Sequence, residues 1–105
     1  MRDKWPPLPF HGAEGNGSTT VLVAHDRVDV RDQAAALLRD EGYRVLLSND
    51  GDEILRLVRE DRLDMILIDV EVLNRHGFVL QERIREIEPS LPIVHTSSSK
   101  HYRPL

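Results

Sequence analysis

The 105-residue sequence predicts an α/β domain built on a doubly wound parallel sheet, and three observations carry that expectation. Short β-branched runs alternate with segments whose apolar residues recur at helical spacing. The run MILI at residues 65–68 is apolar on both faces, as a central parallel strand covered by helices must be. The alternation reads β-α-β-α-β-α-β, which calls for parallel strands joined by right-handed crossovers.

Each element follows from its residues. TTVLVAH (19–25) is a first strand. Residues 29–41 place Val30, Ala34, Leu37 and Leu38 on one helical face, and Gly42 stops that helix. YRVLLS (43–48) is a second strand. Asp50 and Gly51 make a turn, and Asp52 is expected to cap a helix whose stripe is Ile54, Leu57 and Val58. LDMILID (63–69) is the third strand. Gly77 is expected to open a third helix that turns Phe78, Leu80, Ile84 and Ile87 inward and ends at Pro89. LPIVHTS (91–97) is the fourth strand. Residues 1–18 hold three prolines, three glycines and no apolar period, and read as a disordered leader.

Composition narrows the function. A net charge of −4, with Lys4 and Lys100 the only lysines, gives no basic footprint for nucleic acid. No cysteine means no disulfide and no thiolate metal site, which fits a reducing cytoplasm. The longest apolar run is far too short to cross a bilayer, so a soluble cytoplasmic chain is expected. The sequence has no nucleophile-elbow motif G-x-S-x-G and no G-x-x-x-x-G-K-[ST] loop, so a hydrolase lacks its parts.

Open parallel sheets bind ligands outside the carboxyl ends of their strands. Those ends carry His25 and Asp26, then Ser48, Asn49 and Asp50, then Asp69, then Thr96 and Ser97. An acid directly after a buried apolar strand is costly unless something uses it, so Asp69 marks a site. For Asp26 the plainer reading is a helix N-cap.

Taken in order, VLVAHDRVDVRD, EGYRVLLSNDGDEIL, LDMILIDVEVLNRHGF and LPIVHTS resemble the receiver domain of two-component response regulators, a flavodoxin-like (CheY-like) fold. The resemblance implies a sheet of about four strands in the order 2-1-3-4 with three helices. It also implies that Asp69 is the phosphoacceptor in a phosphorelay, taking its phosphoryl group from a histidine kinase or phosphotransfer protein. Mg²⁺ would be held by Asp26, Asp69 and the backbone carbonyl of Glu71, with His25 as a weak ligand. Ser97 matches the hydroxyl residue that bonds the phosphoryl group. Thr96 is the alternative, because sequence does not fix the register of a strand end.

The sequence departs from the family in three places. His25 stands where a second acid is usual, which lowers the expected Mg²⁺ affinity. In the loop after strand three, Leu73 and His76 replace a common proline and aspartate, while Gly77 is kept. After Ser97 only SSKHYRPL remains, so residues 19–105 are read as a receiver-like domain lacking the last helix-strand-helix and its lysine; Lys100 is not that lysine. Leaving about 300 Å² of strands one and three uncovered would forfeit on the order of 7 kcal/mol at about 25 cal/mol/Å². A marginal monomer is therefore expected, with an open edge at strand four that a homodimer would relieve.

Two competing readings remain beside phosphotransfer. One is a degenerate receiver acting as a phosphorylation-independent interaction module. The other is a transition-metal site formed by His25, His76 and His95 with the two acids, although no two of these histidines share a close helical spacing. Neither reading makes the chain an enzyme in its own right.

Overall fold

A computed structural model describes residues 19–75 and 79–97. The elements are β1 (Thr20–Ala24), α1 (Val28–Asp40), β2 (Arg44–Leu47), α2 (Gly51–Glu60), β3 (Met65–Asp69), α3 (Val70–Arg75), α4 (Val79–Ile87) and β4 (Ile93–Thr96). The four strands are all parallel, in the order β2-β1-β3-β4. The alternation of short strands and helices thus produces the expected topology. The leader at residues 1–18 and the segments at 76–78 and 98–105, including His76, Gly77, Phe78 and Lys100, lie outside the described residues.

Four helices are present among the described residues where three were expected. The difference lies after β3, in a stretch read as a loop. There VEVLNR forms α3 directly from the strand end and buries Val72 and Leu73. The Asp69 carboxylate starts that turn: its Oδ2 accepts from the backbone N–H of Glu71 at 3.0 Å. A side-chain oxygen that satisfies a free N–H of the first helical turn stabilises helix over loop.

Two layers of apolar side chains sandwich the sheet. On one face Leu22, Ile66 and Ile68 meet Ile54, Leu55 and Val58 of α2, Val72 of α3, and Leu80 and Ile84 of α4. On the other, Val21, Val23, Met65 and Leu67 meet Ala34, Ala35 and Leu38 of α1. The expected bare face is therefore not found at these positions of β1 and β3, since all four strand residues are buried. The inward set of α1 is also shifted: Ala35 is buried and Leu37 is 49% exposed.

The ends of the helices set the loops that carry polar groups. Gly42 has φ 96°, a left-handed value that costs glycine little. Its N–H donates to the carbonyl of Arg39 at 3.0 Å, and the N–H of Tyr43 donates to that of Leu38 at 3.1 Å. This pair of bonds closes α1 as a Schellman motif and returns the chain to β2. At α2 the cap is Asp50 rather than Asp52, because the Asp50 carboxylate accepts from the N–H of Glu53 at 3.0 Å. Asp52 lies inside the first turn, where its charge still suits the positive end of the helix. At the opposite end of the strands, Asp64 accepts from the N–H of Thr20 at 2.8 Å, fixing the start of β1 against the approach to β3.

Candidate functional site

The site grows from the register of β1, β3 and β4. β1 and β3 pair with Ala24 opposite Ile68, and β3 and β4 pair with Asp69 opposite Thr96. His25 and Asp26 therefore leave β1 at the same end of the sheet where Asp69 ends β3. The β2–α2 turn brings Asn49 to this rim.

Asp69 is 2% exposed, and its two oxygens are used separately. Oδ2 takes the Glu71 N–H, as described above. Oδ1 accepts from the Thr96 hydroxyl at 3.1 Å and lies 3.4 Å from Nε2 of His25. The His25 ring is oriented from its other side, where the backbone N–H of Arg27 donates to Nδ1 at 3.0 Å. With Nδ1 accepting, a neutral ring carries its proton on Nε2, the atom that faces Asp69. These donors satisfy the hydrogen-bonding needs of the buried carboxylate.

Asp26 lies outside this knot. It does not cap α1; Arg27 occupies the N-cap position, with no side-chain capping bond. Oδ2 of Asp26 instead accepts from Nη1 of Arg75 at 2.6 Å, and Oδ1 accepts from the Asn49 amide at 3.2 Å. Nη2 of Arg75 donates to the Asn49 carbonyl at 2.9 Å. The Arg75 hydrogen bond holds the Asp26 carboxyl below the ordinary aspartate range. Partial burial opposes that shift, while the Arg75 charge and the Asn49 amide reinforce it.

The hydroxyl in contact with Asp69 is thus that of Thr96, and Ser97 is exposed one position beyond β4. The cause is the strand register, which sets Thr96 directly opposite Asp69. Ser97 lines a shallow cleft beside the site together with His25, Arg31, Leu67 and Thr96. His95 turns away from the rim to Gln81 Oε1 at 2.6 Å, and His76 lies outside the described residues. Among the described residues no group of three or more His, Cys, Asp or Glu side chains is arranged to hold a metal ion, and His25 and His95 of the competing histidine site have separate partners.

The sequence model of the response regulator receiver domain matches residues 21–103. The chain belongs to the response regulator receiver domain family. Its receiver segment is 34% identical over 77 residues to the CAI-1 autoinducer sensor kinase/phosphatase CqsS of Vibrio cholerae, a match covering 70% of this chain and 11% of that protein. It is 32% identical over 88 residues to the sensor histidine kinase RcsC of Salmonella typhimurium, covering 84% of this chain and 9% of that one. Against the transcriptional regulatory protein DltR of Streptococcus agalactiae it is 34% identical over 83 residues, covering 78% of this chain and 37% of that protein. The chain thus spans about a tenth of the sensor kinases it matches. In fold it is similar to a chain in the crystal structure of histidine kinase ThkA in complex with response regulator protein TrrA. That match has a TM-score of 0.68 at 24% identity and covers 83% of this chain and 75% of that one.

For a receiver domain the donor set at this rim is informative. Asp26, Asp69 and the Glu71 carbonyl offer only oxygen, the chemistry that a small hard cation such as Mg²⁺ prefers. By donor type they fit such an ion, with His25 the misfit among them. Asn49, which the sequence places at the strand-end rim without a role, and Arg75, which the sequence does not single out, are the other members of the site. No local motif marks Arg75, because it meets Asp26 from 49 positions away. No helix among the described residues is long and apolar enough to cross a membrane.

Proposed function

We propose that this receiver domain accepts a phosphoryl group on Asp69 from the phosphohistidine of a histidine kinase or phosphotransfer protein in a two-component phosphorelay. The observation that carries the reading is a buried carboxylate at the end of the central strand β3, with a threonine hydroxyl on one oxygen. In the transfer, an Asp69 oxygen forms the new bond to phosphorus and the phosphorus–nitrogen bond of the donor breaks. The bonding pair returns to the ring nitrogen, and a donor imidazole protonated on its other nitrogen leaves neutral.

The chain's own groups suit the remaining tasks. The Thr96 hydroxyl, which donates to Asp69 Oδ1, would donate to the acyl phosphate, with Ser97 as the neighbouring hydroxyl. The His25 Nε2–H faces Asp69 Oδ1 and would orient that carboxylate for attack. Mg²⁺, held by Asp26, Asp69 and the Glu71 carbonyl with at most weak help from His25, would supply positive charge against the phosphoryl oxygens. The chain is a substrate of its kinase rather than an enzyme. The net charge of −4 favours a protein partner over nucleic acid, and a cytoplasmic location fits a kinase-facing domain. Among the described residues β4 is the last strand of the sheet, which leaves a homodimer as a second partner to measure.

A second reading, a degenerate receiver that binds partners without phosphotransfer, draws support from the Arg75 guanidinium on Asp26 and from His25 in place of an acid. Borohydride trapping separates the two. After incubation with a phosphorylated histidine kinase, reduction converts an acyl phosphate at position 69 to homoserine, which peptide mapping detects. Its absence, together with partner binding that survives Asp69→Ala, would establish the degenerate module.

A further inference from the structure

Arg75 ends α3 and ties three segments together. One amino group of its guanidinium reaches Asp26 in the β1–α1 loop, and the other reaches the Asn49 carbonyl in the β2–α2 loop. With Asn49 on the second oxygen of Asp26, each oxygen of that carboxylate has a donor from the protein itself. A divalent ion and a guanidinium compete for the same lone pairs, and arginine does not deprotonate to give way. Both side chains are accessible, 34% exposed for Asp26 and 46% for Arg75, so the pair is weak enough to open.

We infer that Arg75 is a built-in cation at Asp26, which a divalent metal ion must displace, so that metal binding and release of the α3 end from the Asn49 loop are one exchange. This rests on the reading of Asp26 as a cation ligand. Arg75 here is a gating residue: it lowers metal affinity in the resting domain and couples occupancy of the site to the freedom of two loops. The six-residue α3 has few bonds to hold it when that tie opens.

Mn²⁺ binding to the full chain, followed by the electron paramagnetic resonance signal of free Mn²⁺, tests the exchange. Arg75→Gln should bind Mn²⁺ about fivefold more tightly than the wild type, the worth of a good exposed ion pair. Arg27→Gln removes an equal charge nearby without touching the Asp26 carboxylate and should change affinity less than about twofold. The gain should vanish in Arg75→Gln/Asp26→Asn. A gain from Arg75→Gln no larger than that from Arg27→Gln, with Mn²⁺ still bound in an Asp26-dependent way, overturns the gate and leaves Asp26 a ligand. Binding in no variant, or binding indifferent to Asp26→Asn, overturns the ligand reading and the gate with it. Should Arg75→Gln fail to fold, the wild type supplies the answer. Mg²⁺ should then shift the Arg75 Nε–H resonance by NMR, and a resonance unmoved at metal saturation overturns the proposal.

Discussion

Nε2 of His25 lies 3.4 Å from Oδ1 of Asp69, and both residues are buried at the carboxyl ends of adjacent strands. A hydrogen-bonding ring thus stands beside the proposed phosphoacceptor. The pairing gives a carboxylate that follows four apolar residues into the interior a polar partner there. Thr96 and the Glu71 N–H complete its donors.

The two hydroxyls at the end of β4 should behave differently. Thr96→Val removes a donor from buried Asp69 and should lower stability at pH 7 by about 1 kcal/mol. Ser97→Ala, at an exposed position, should stay within about 0.5 kcal/mol of the wild type. Urea unfolding of the two variants compares them. Equal losses would show that the contact with Asp69 does not favour Thr96.

Capping of α2 gives a second contrast. Asp50→Ala leaves the Glu53 N–H without its side-chain acceptor and should cost about 1 kcal/mol. Asp52→Ala removes only a first-turn charge and should cost about 0.5 kcal/mol. A thermal melt in which Asp52→Ala is the worse of the two would restore the cap expected from sequence.

Asp26 should make stability depend on pH in a defined direction. Its carboxyl is held low in the folded chain, chiefly by the Arg75 hydrogen bond. The stabilisation is therefore present above the unfolded value of about 3.9 and is lost as pH falls through the lower folded value. Exposure limits it to about 1 kcal/mol or less. Wild type should exceed Asp26→Asn in unfolding free energy at neutral pH, and the gap should close below about pH 4. A gap that widens with acid would contradict the Arg75 pairing.

Core packing sets the scale for all of these effects. Ile66 and Ile84 are fully buried on the same face of the sheet, on β3 and α4. Ile66→Ala should cost about 3 kcal/mol, a large part of a small domain's total of about 5–15 kcal/mol. Leu37→Ala, on the outer side of α1, should cost under about 1 kcal/mol. Denaturant midpoints measure both.

The sheet was legible because its signals are local. Four apolar runs, a glycine stop at Gly42 and helical spacing in α2 each declare themselves within a few residues. Asp69 was legible too, since a carboxylate after MILI needs a reason. What the sequence did not disclose depends on distance or register. The helix at Val70–Arg75 forms because Asp69 caps it, and its few apolar residues show no clear period. Contact between Thr96 and Asp69 follows from β3–β4 register, which a strand end does not encode. Burial of Met65 and Leu67 depends on a cluster that joins them to Val21, Val23 and the inner face of α1, residues far apart in the sequence. Arg75 on Asp26 joins residues that only the folded sheet brings together.

The most direct measurement is intact mass after incubation of the chain with acetyl phosphate and Mg²⁺, made in parallel on Asp69→Asn. The account predicts that the wild type gains the mass of one phosphoryl group, that alkaline hydroxylamine removes it, and that Asp69→Asn gains nothing. A wild type that stays unmodified, or an Asp69→Asn chain that is modified equally, would contradict it.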